Sequence, residues 1–170
     1  KASLSRGFIN RQKRIATATG VLIERSVVSP MQKAKTTRLL TGEQQNALKL
    51  FAKQPQGSSL LLWGVTGSGK TEVYLQMASK ELFEGRHCLM LAPEIGLIPQ
   101  LVDRCRRRFP SQVFEYHSAC SEKQRISVWR EALNTVRPLL IVGTRSAIFL
   151  PLYPLGLALY FDKSFKGKFI

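Results

Sequence analysis

Short apolar runs alternate with longer stretches of helical periodicity from Thr41 to Val142, and nothing else in the chain narrows the possible folds as far. The runs are Leu60-Leu61-Leu62-Trp63, Cys88 to Leu91, Val113 to Tyr116 and Leu139 to Val142. The periodic stretches predict helices at about 43–53, from Thr71 to about Glu84, from about Ile95 to Arg108, and from Glu122 to about Thr135. Apolar runs without polar alternation suit strands covered on both faces, and the helices between them suit right-handed crossovers between parallel neighbours. The expectation is an α/β fold on a parallel sheet. At 170 residues there is room for one such domain and a short additional segment, but not for two complete enzyme domains.

The texture changes near Leu40. Before it, Val21, Ile23, Val27 and Val28 lie between Gly20 and Pro30 and read as a short strand or hairpin behind a weak helical stretch, and residues 31–39 read as a basic linker. The formal net charge is +15, and residues 1–38 contribute heavily to it, with nine Lys and Arg against Glu24 alone. Such an excess attracts polyanions, so nucleic acid is the first partner to consider. Cys88, Cys105 and Cys120 include no C-x-x-C pair, which supports neither a zinc site nor a disulfide framework and suits a reduced, intracellular protein. No apolar run approaches the roughly 20 residues of a membrane span. The sequence opens on Lys1 without a leader and reads as a piece of a longer chain.

Between the first apolar run and the helix after it stands Gly64-Val65-Thr66-Gly67-Ser68-Gly69-Lys70-Thr71, which satisfies G-x-x-x-x-G-K-[ST]. Glycines at 64, 67 and 69 let the backbone turn its N–H groups, with those of Thr66 and Ser68, onto phosphate oxygens. Lys70 is then aimed at the β- and γ-phosphates, and Thr71, at the helix N-terminus, offers a hydroxyl to Mg²⁺. Binding of a nucleoside triphosphate with Mg²⁺ is the reading these residues support without any family likeness.

Leu62 to Tyr74 resembles the first motif of the PriA family, the superfamily-2 primosomal helicases of replication restart. Leu91-Ala92-Pro93-Glu94-Ile95-Gly96-Leu97-Ile98-Pro99-Gln100 is similar to that family's motif Ia, which lies along the DNA strand. His117-Ser118, Ser121, Arg125 and Trp129 match its H-S-x-x-S-x-x-x-R-x-x-x-W stretch, and Val142 to Phe149 resembles its motif Ib. Leu40 with Glu43-Gln44 resembles its adenine-recognising entry, so that the likeness covers residues 40–157, and residues 20–30 are more weakly similar to the end of a winged-helix domain. The resemblance implies residues 1–39 as a winged-helix remnant and basic linker, and 40–170 as the first RecA-like ATP-binding domain, cut short near the DExH strand. It implies ATP and Mg²⁺ as cofactors, Gln44 at the adenine, and single-stranded and forked DNA on Pro93, Glu94, Thr144, Arg145 and Ser146. It also implies other primosome proteins as partners, a cytoplasmic, DNA-associated setting, and zinc only in parts of the family that this chain lacks.

Straight after Leu155-Gly156-Leu157 the family carries Asp-Glu-x-His, whereas this chain reads Ala158-Leu159-Tyr160-Phe161-Asp162-Lys163-Ser164-Phe165-Lys166 and keeps only Asp162. Carboxylates at that place hold Mg²⁺ and orient water, so a catalytically silent ATP- and DNA-binding fragment stands beside the helicase motor as a second reading. An unrelated P-loop enzyme such as a kinase is a third, which would have no need of motifs Ia and Ib. Residue by residue, Glu94 suits both a DNA-side role and a helix-start carboxylate. His117 reads as a polar group at a strand end, and Arg104, Arg106, Arg107 and Arg108 as a solvent-facing, dipole-paired helix end. Arg145, after a strand that ends in Gly143-Thr144, reads as a DNA contact. Trp63 and Trp129 read as core aromatics.

Overall fold

The computed structural model describes residues 39–161 apart from 56, 63, 65 and 66. The winged-helix reading of the first 38 residues, the residues from Asp162 onward, Trp63 and Thr66 lie outside the described residues.

Four strands, β1 (His87–Leu91), β2 (Val113–Tyr116), β3 (Leu140–Gly143) and β4 (Leu155–Tyr160), form one sheet in the order β2-β3-β1-β4. Every pairing is parallel. The helices are α1 (Gly42–Lys53), α2 (Lys70–Phe83), α3 (Ile98–Arg108) and α4 (Glu122–Asn134). This is the α/β architecture that the alternation predicts.

β1 and β3 are buried at every position because both faces of the sheet are covered. Cys88, Met90, Leu140 and Val142 point to one face and pack with Val73, Met77 and Ala78 of α2 and Leu101, Val102 and Cys105 of α3. Leu89, Leu91 and Ile141 point to the other and pack with Val128 and Ala132 of α4 and with Ala147 and Leu150. The connection from β1 to β2 runs one way across the sheet over the first face, and that from β2 to β3 returns over the second. Opposite directions over opposite faces give both crossovers the same hand, as connections between parallel strands require.

The structure departs from the sequence pattern at four places. The run Leu60-Leu61-Leu62 forms no strand: it pairs with no sheet strand among the described residues, and only the side chain of Leu62 ties it to the core. The helix expected from Ile95 opens as a 3-10 segment, Ile95–Leu97, and α3 begins at Ile98. Pro99 explains this, because it has no N–H to give to the carbonyl of residue 95 and fits only the first helical turn. Trp129 is 38% exposed rather than in the core, since α4 turns Val128 and Ala132 inward. β4 lies outside the four apolar runs: Leu157 and Leu159 are buried, but Leu155 and Ala158 are exposed, so its apolar signal is diluted.

Candidate functional site

The glycine loop leads into the start of α2. Gly69 is the N-cap of that helix at φ +78°, and Gly67 lies at φ +87°, both in the left-handed region that favours glycine. A Cβ on Gly69 would also collide with Nε2 of Gln44. Gln44 donates from Nε2 to the Ser68 carbonyl at 3.1 Å, while its Oε1 accepts from the Thr41 N–H at 3.0 Å. One side chain therefore caps α1 and holds the loop. Lys70 donates from Nζ to the Gly64 carbonyl at 2.5 Å, so the lysine folds back over the loop's first residue.

No side chain caps the N-terminus of α2, although α1 and α4 each begin with a capping box. The open helix end, an ammonium group on its first residue and a hydroxyl on its second make a donor set that fits a polyphosphate with a divalent cation. Among the described residues no group of three or more His, Cys, Asp or Glu is gathered to hold a metal ion. The fit to a cation therefore rests on Thr71 and on phosphate oxygens. The Cys88 and Cys105 thiols are buried in the core, and burial pushes both up, Cys105 to about 12, so they stay protonated and unsuited to metal binding.

The arginines at the end of α3 do not all face solvent. Arg106 pairs with Glu115 at 2.8 Å and Arg107 with Asp103 at 2.8 Å, both exposed as the sequence suggests. Arg108, however, is only 9% exposed and donates from Nη1 to Oε1 of Glu72 at 2.6 Å, an oxygen that also accepts from Gln76. Arg104 donates from Nη1 to Oγ1 of Thr71 at 3.2 Å. Adjacent residues of the first turn of α2 are thus held by arginines one turn apart on α3. The signal that could have found Arg108 is spacing: Ile98, Leu101, Val102 and Cys105 mark the buried face of α3, and position 108 continues it.

The parallel register sets Leu91, Gly143, Tyr116 and Tyr160 in one row across the sheet. The loops that leave these strand ends therefore emerge at one edge: Pro93 and Glu94 after β1, His117 after β2, Thr144, Arg145 and Ser146 after β3. The turn after β3 is close: a Cβ on Gly143 would collide with the Tyr116 carbonyl oxygen, which also accepts from the Thr144 N–H. Arg145 and Ser146, in a 3-10 segment Arg145–Phe149, are exposed, as is Glu94, and the hydroxyls of Thr144 and Ser146 are 3.4 Å apart. His117 is buried at the strand end with Nε2 3.7 Å from Oε2 of Glu115, while its buried Nδ1 has no hydrogen-bond partner among the described residues.

The sequence pattern of the DEAD/DEAH box helicase family matches residues 41–159. The replication restart protein PriA of Synechocystis sp. is 46% identical over 130 residues, 75% of this chain and 16% of its own length. The protein of that name from Treponema pallidum is 39% identical over 137 residues, 79% of this chain and 21% of its own length. That from Bacillus subtilis is 43% identical over 121 residues, 69% of this chain and 15% of its own. The chain spans about a fifth or less of the length of these relatives. No helix among the described residues is long and apolar enough to cross a membrane.

Proposed function

From the fact that this chain belongs to the DEAD/DEAH box helicase family, we propose that it is the ATP- and single-stranded-DNA-binding portion of a replication-restart helicase that acts in the cytoplasm with other primosome proteins. Residues 40–170 would be its first RecA-like domain and 1–39 the winged-helix remnant and linker. The observation that carries the reading is the uncapped start of α2, with Gly69, Lys70 and Thr71 presented together. The loop backbone of Gly64, Thr66, Gly67, Ser68 and Gly69 would cradle phosphates, Lys70 would turn from the Gly64 carbonyl to the β- and γ-phosphates, and Gln44 would meet the adenine. Thr71 would hold Mg²⁺, which supplies neutralisation of phosphate charge when bound with ATP. Forked or single-stranded DNA would lie along the strand-end loops, with Arg145, Thr144, Ser146, Pro93 and Glu94 meeting its backbone without reading sequence.

Titration with ATP tests this. Lys70→Ala should weaken binding by about a hundredfold, the order expected for a charge-assisted contact to phosphate; unchanged affinity would remove the assignment. Arg145→Ala should weaken every single-stranded DNA alike and lower the salt slope by about one.

One observation favours slow turnover. The Phe161 N–H bonds the Leu91 carbonyl at 2.8 Å, so Phe161, the first of the residues 161–164 that stand against Asp-Glu-x-His in the resemblance, ends the strand beside Leu91. With Asp162 alone kept of that box in the sequence, the chain should bind ATP yet hydrolyse it slowly, with little stimulation by DNA. A steady-state ATPase assay with and without single-stranded DNA decides between this reading and an active motor.

A further inference from the structure

Arg104 and Arg108 stand four residues apart on α3 and therefore share a face, which meets Thr71 and Glu72. The largely buried Arg108–Glu72 pair fixes α3 against the first turn of α2. This makes the exposed Arg104 contact a consequence of helix geometry rather than of one wandering side chain. Guanidinium has only donors, so the Thr71 hydroxyl oxygen must be the acceptor, and one of its two lone pairs is taken up at 3.2 Å. That oxygen is also the one a phosphate-loop threonine turns to its cation. A divalent cation on Thr71 would face the guanidinium across a single oxygen, with like charges a few ångströms apart.

We propose that Arg104 is a positioning residue that guards the Thr71 hydroxyl: it orients the hydroxyl while no cation is bound, competes with Mg²⁺ for it, and is expelled when the metal–nucleotide arrives. The inference rests on the nucleotide reading of the loop. Its consequence is that Arg104 sets how much Mg²⁺ tight ATP binding requires, while ATP without metal does not sense it.

The test is ATP affinity of the 170-residue chain across graded Mg²⁺, with EDTA as the zero point. Arg104→Ala should lower the Mg²⁺ midpoint by about fivefold, the scale of one exposed like-charge contact, and leave metal-free ATP affinity unchanged. Arg104→Lys, which keeps the charge on a shorter reach, should fall between. In a Thr71→Val background, which removes the contested oxygen, Arg104→Ala should no longer alter the response to Mg²⁺. An unmoved midpoint overturns the proposal. So does equal weakening with and without Mg²⁺, which would make Arg104 a phosphate contact. If instead wild type and Lys70→Ala bind ATP alike, the nucleotide reading fails and takes this inference with it, a result distinguishable from the other two.

Discussion

At the start of α4, Ser121 accepts from the Gln124 N–H while the Gln124 side chain accepts from the Ser121 N–H, and the helix end is closed by its own sequence. At the start of α2 no side chain takes that part; the N-cap is Gly69 in a left-handed conformation. The first turn of α2 is instead held from the side, by Arg104 on Thr71 and Arg108 on Glu72. The difference separates two ways of making a helix end rigid. A capping box satisfies two of the exposed N–H groups and sets side chains over the helix end where an anion would otherwise sit. Side-on arginines restrain the same turn without setting a capping side chain on its end. If the two ends differ in this way, disturbing the lateral restraint should cost more stability than removing a cap.

The largest effect should come from Arg108. Glu72 and Arg108 are both largely buried, so Arg108→Ala leaves a carboxylate without its partner and should cost about 3–5 kcal/mol of stability, read by chemical denaturation. A cost no greater than that of losing a cap would mean that the first turn of α2 does not depend on α3.

The closed end gives the matching measurement. Ser121→Ala should cost about 1 kcal/mol and leave ATP affinity unchanged, because α4 lies on the sheet face opposite α2. Gln44→Ala should cost a similar amount yet also weaken ATP binding, since the same side chain holds the Ser68 carbonyl. If Ser121→Ala altered ATP affinity, the division between closed and open ends would not hold.

The buried strands were legible because a run such as Cys88 to Leu91, covered on both faces, leaves no polar alternation to confuse the pattern. The capping pairs Thr41/Gln44 and Ser121/Gln124 sit at the expected helix starts, for the reason that a cap is a local interaction written within four residues. The glycine loop was legible as a motif, but the Leu60–Leu62 run before it was not legible as coil, because strand formation depends on a pairing partner that sequence does not display. The arginine contacts were hidden for a related reason. Arg104 and Thr71 are 33 residues apart, and only the packing of α3 against α2 brings them together. Charge runs are read as solvated by default, and Arg108 escaped that default because its place on the helix face, rather than its type, decides its burial.

The smallest expected effect lies at the far end of β1 from the Pro93–Glu94 loop. His87 is buried at the strand's start, where its Nδ1 accepts from the Leu139 N–H at 3.0 Å. Burial holds its pKa below the ordinary 6.5, opposed by a hydrogen bond with the backbone of Tyr153. The neutral form is thus the folded form. As pH falls below about 6.5 the unfolded chain takes up a proton that the folded one resists, so stability is full above that value and declines until the lower folded value is passed. Denaturation at about pH 7.5 and about pH 5.5, on either side of the ordinary histidine value, should show this decline, and His87→Gln, which keeps an acceptor but does not titrate, should flatten it. Because His87 and the start of α2 share no contact among the described hydrogen bonds, ATP affinity should not follow the same slope. A parallel loss of ATP affinity that His87→Gln also abolished would show that the closed and open parts of the domain are coupled through the sheet, and that the axial end of α2 owes its rigidity to more than the two arginines beside it.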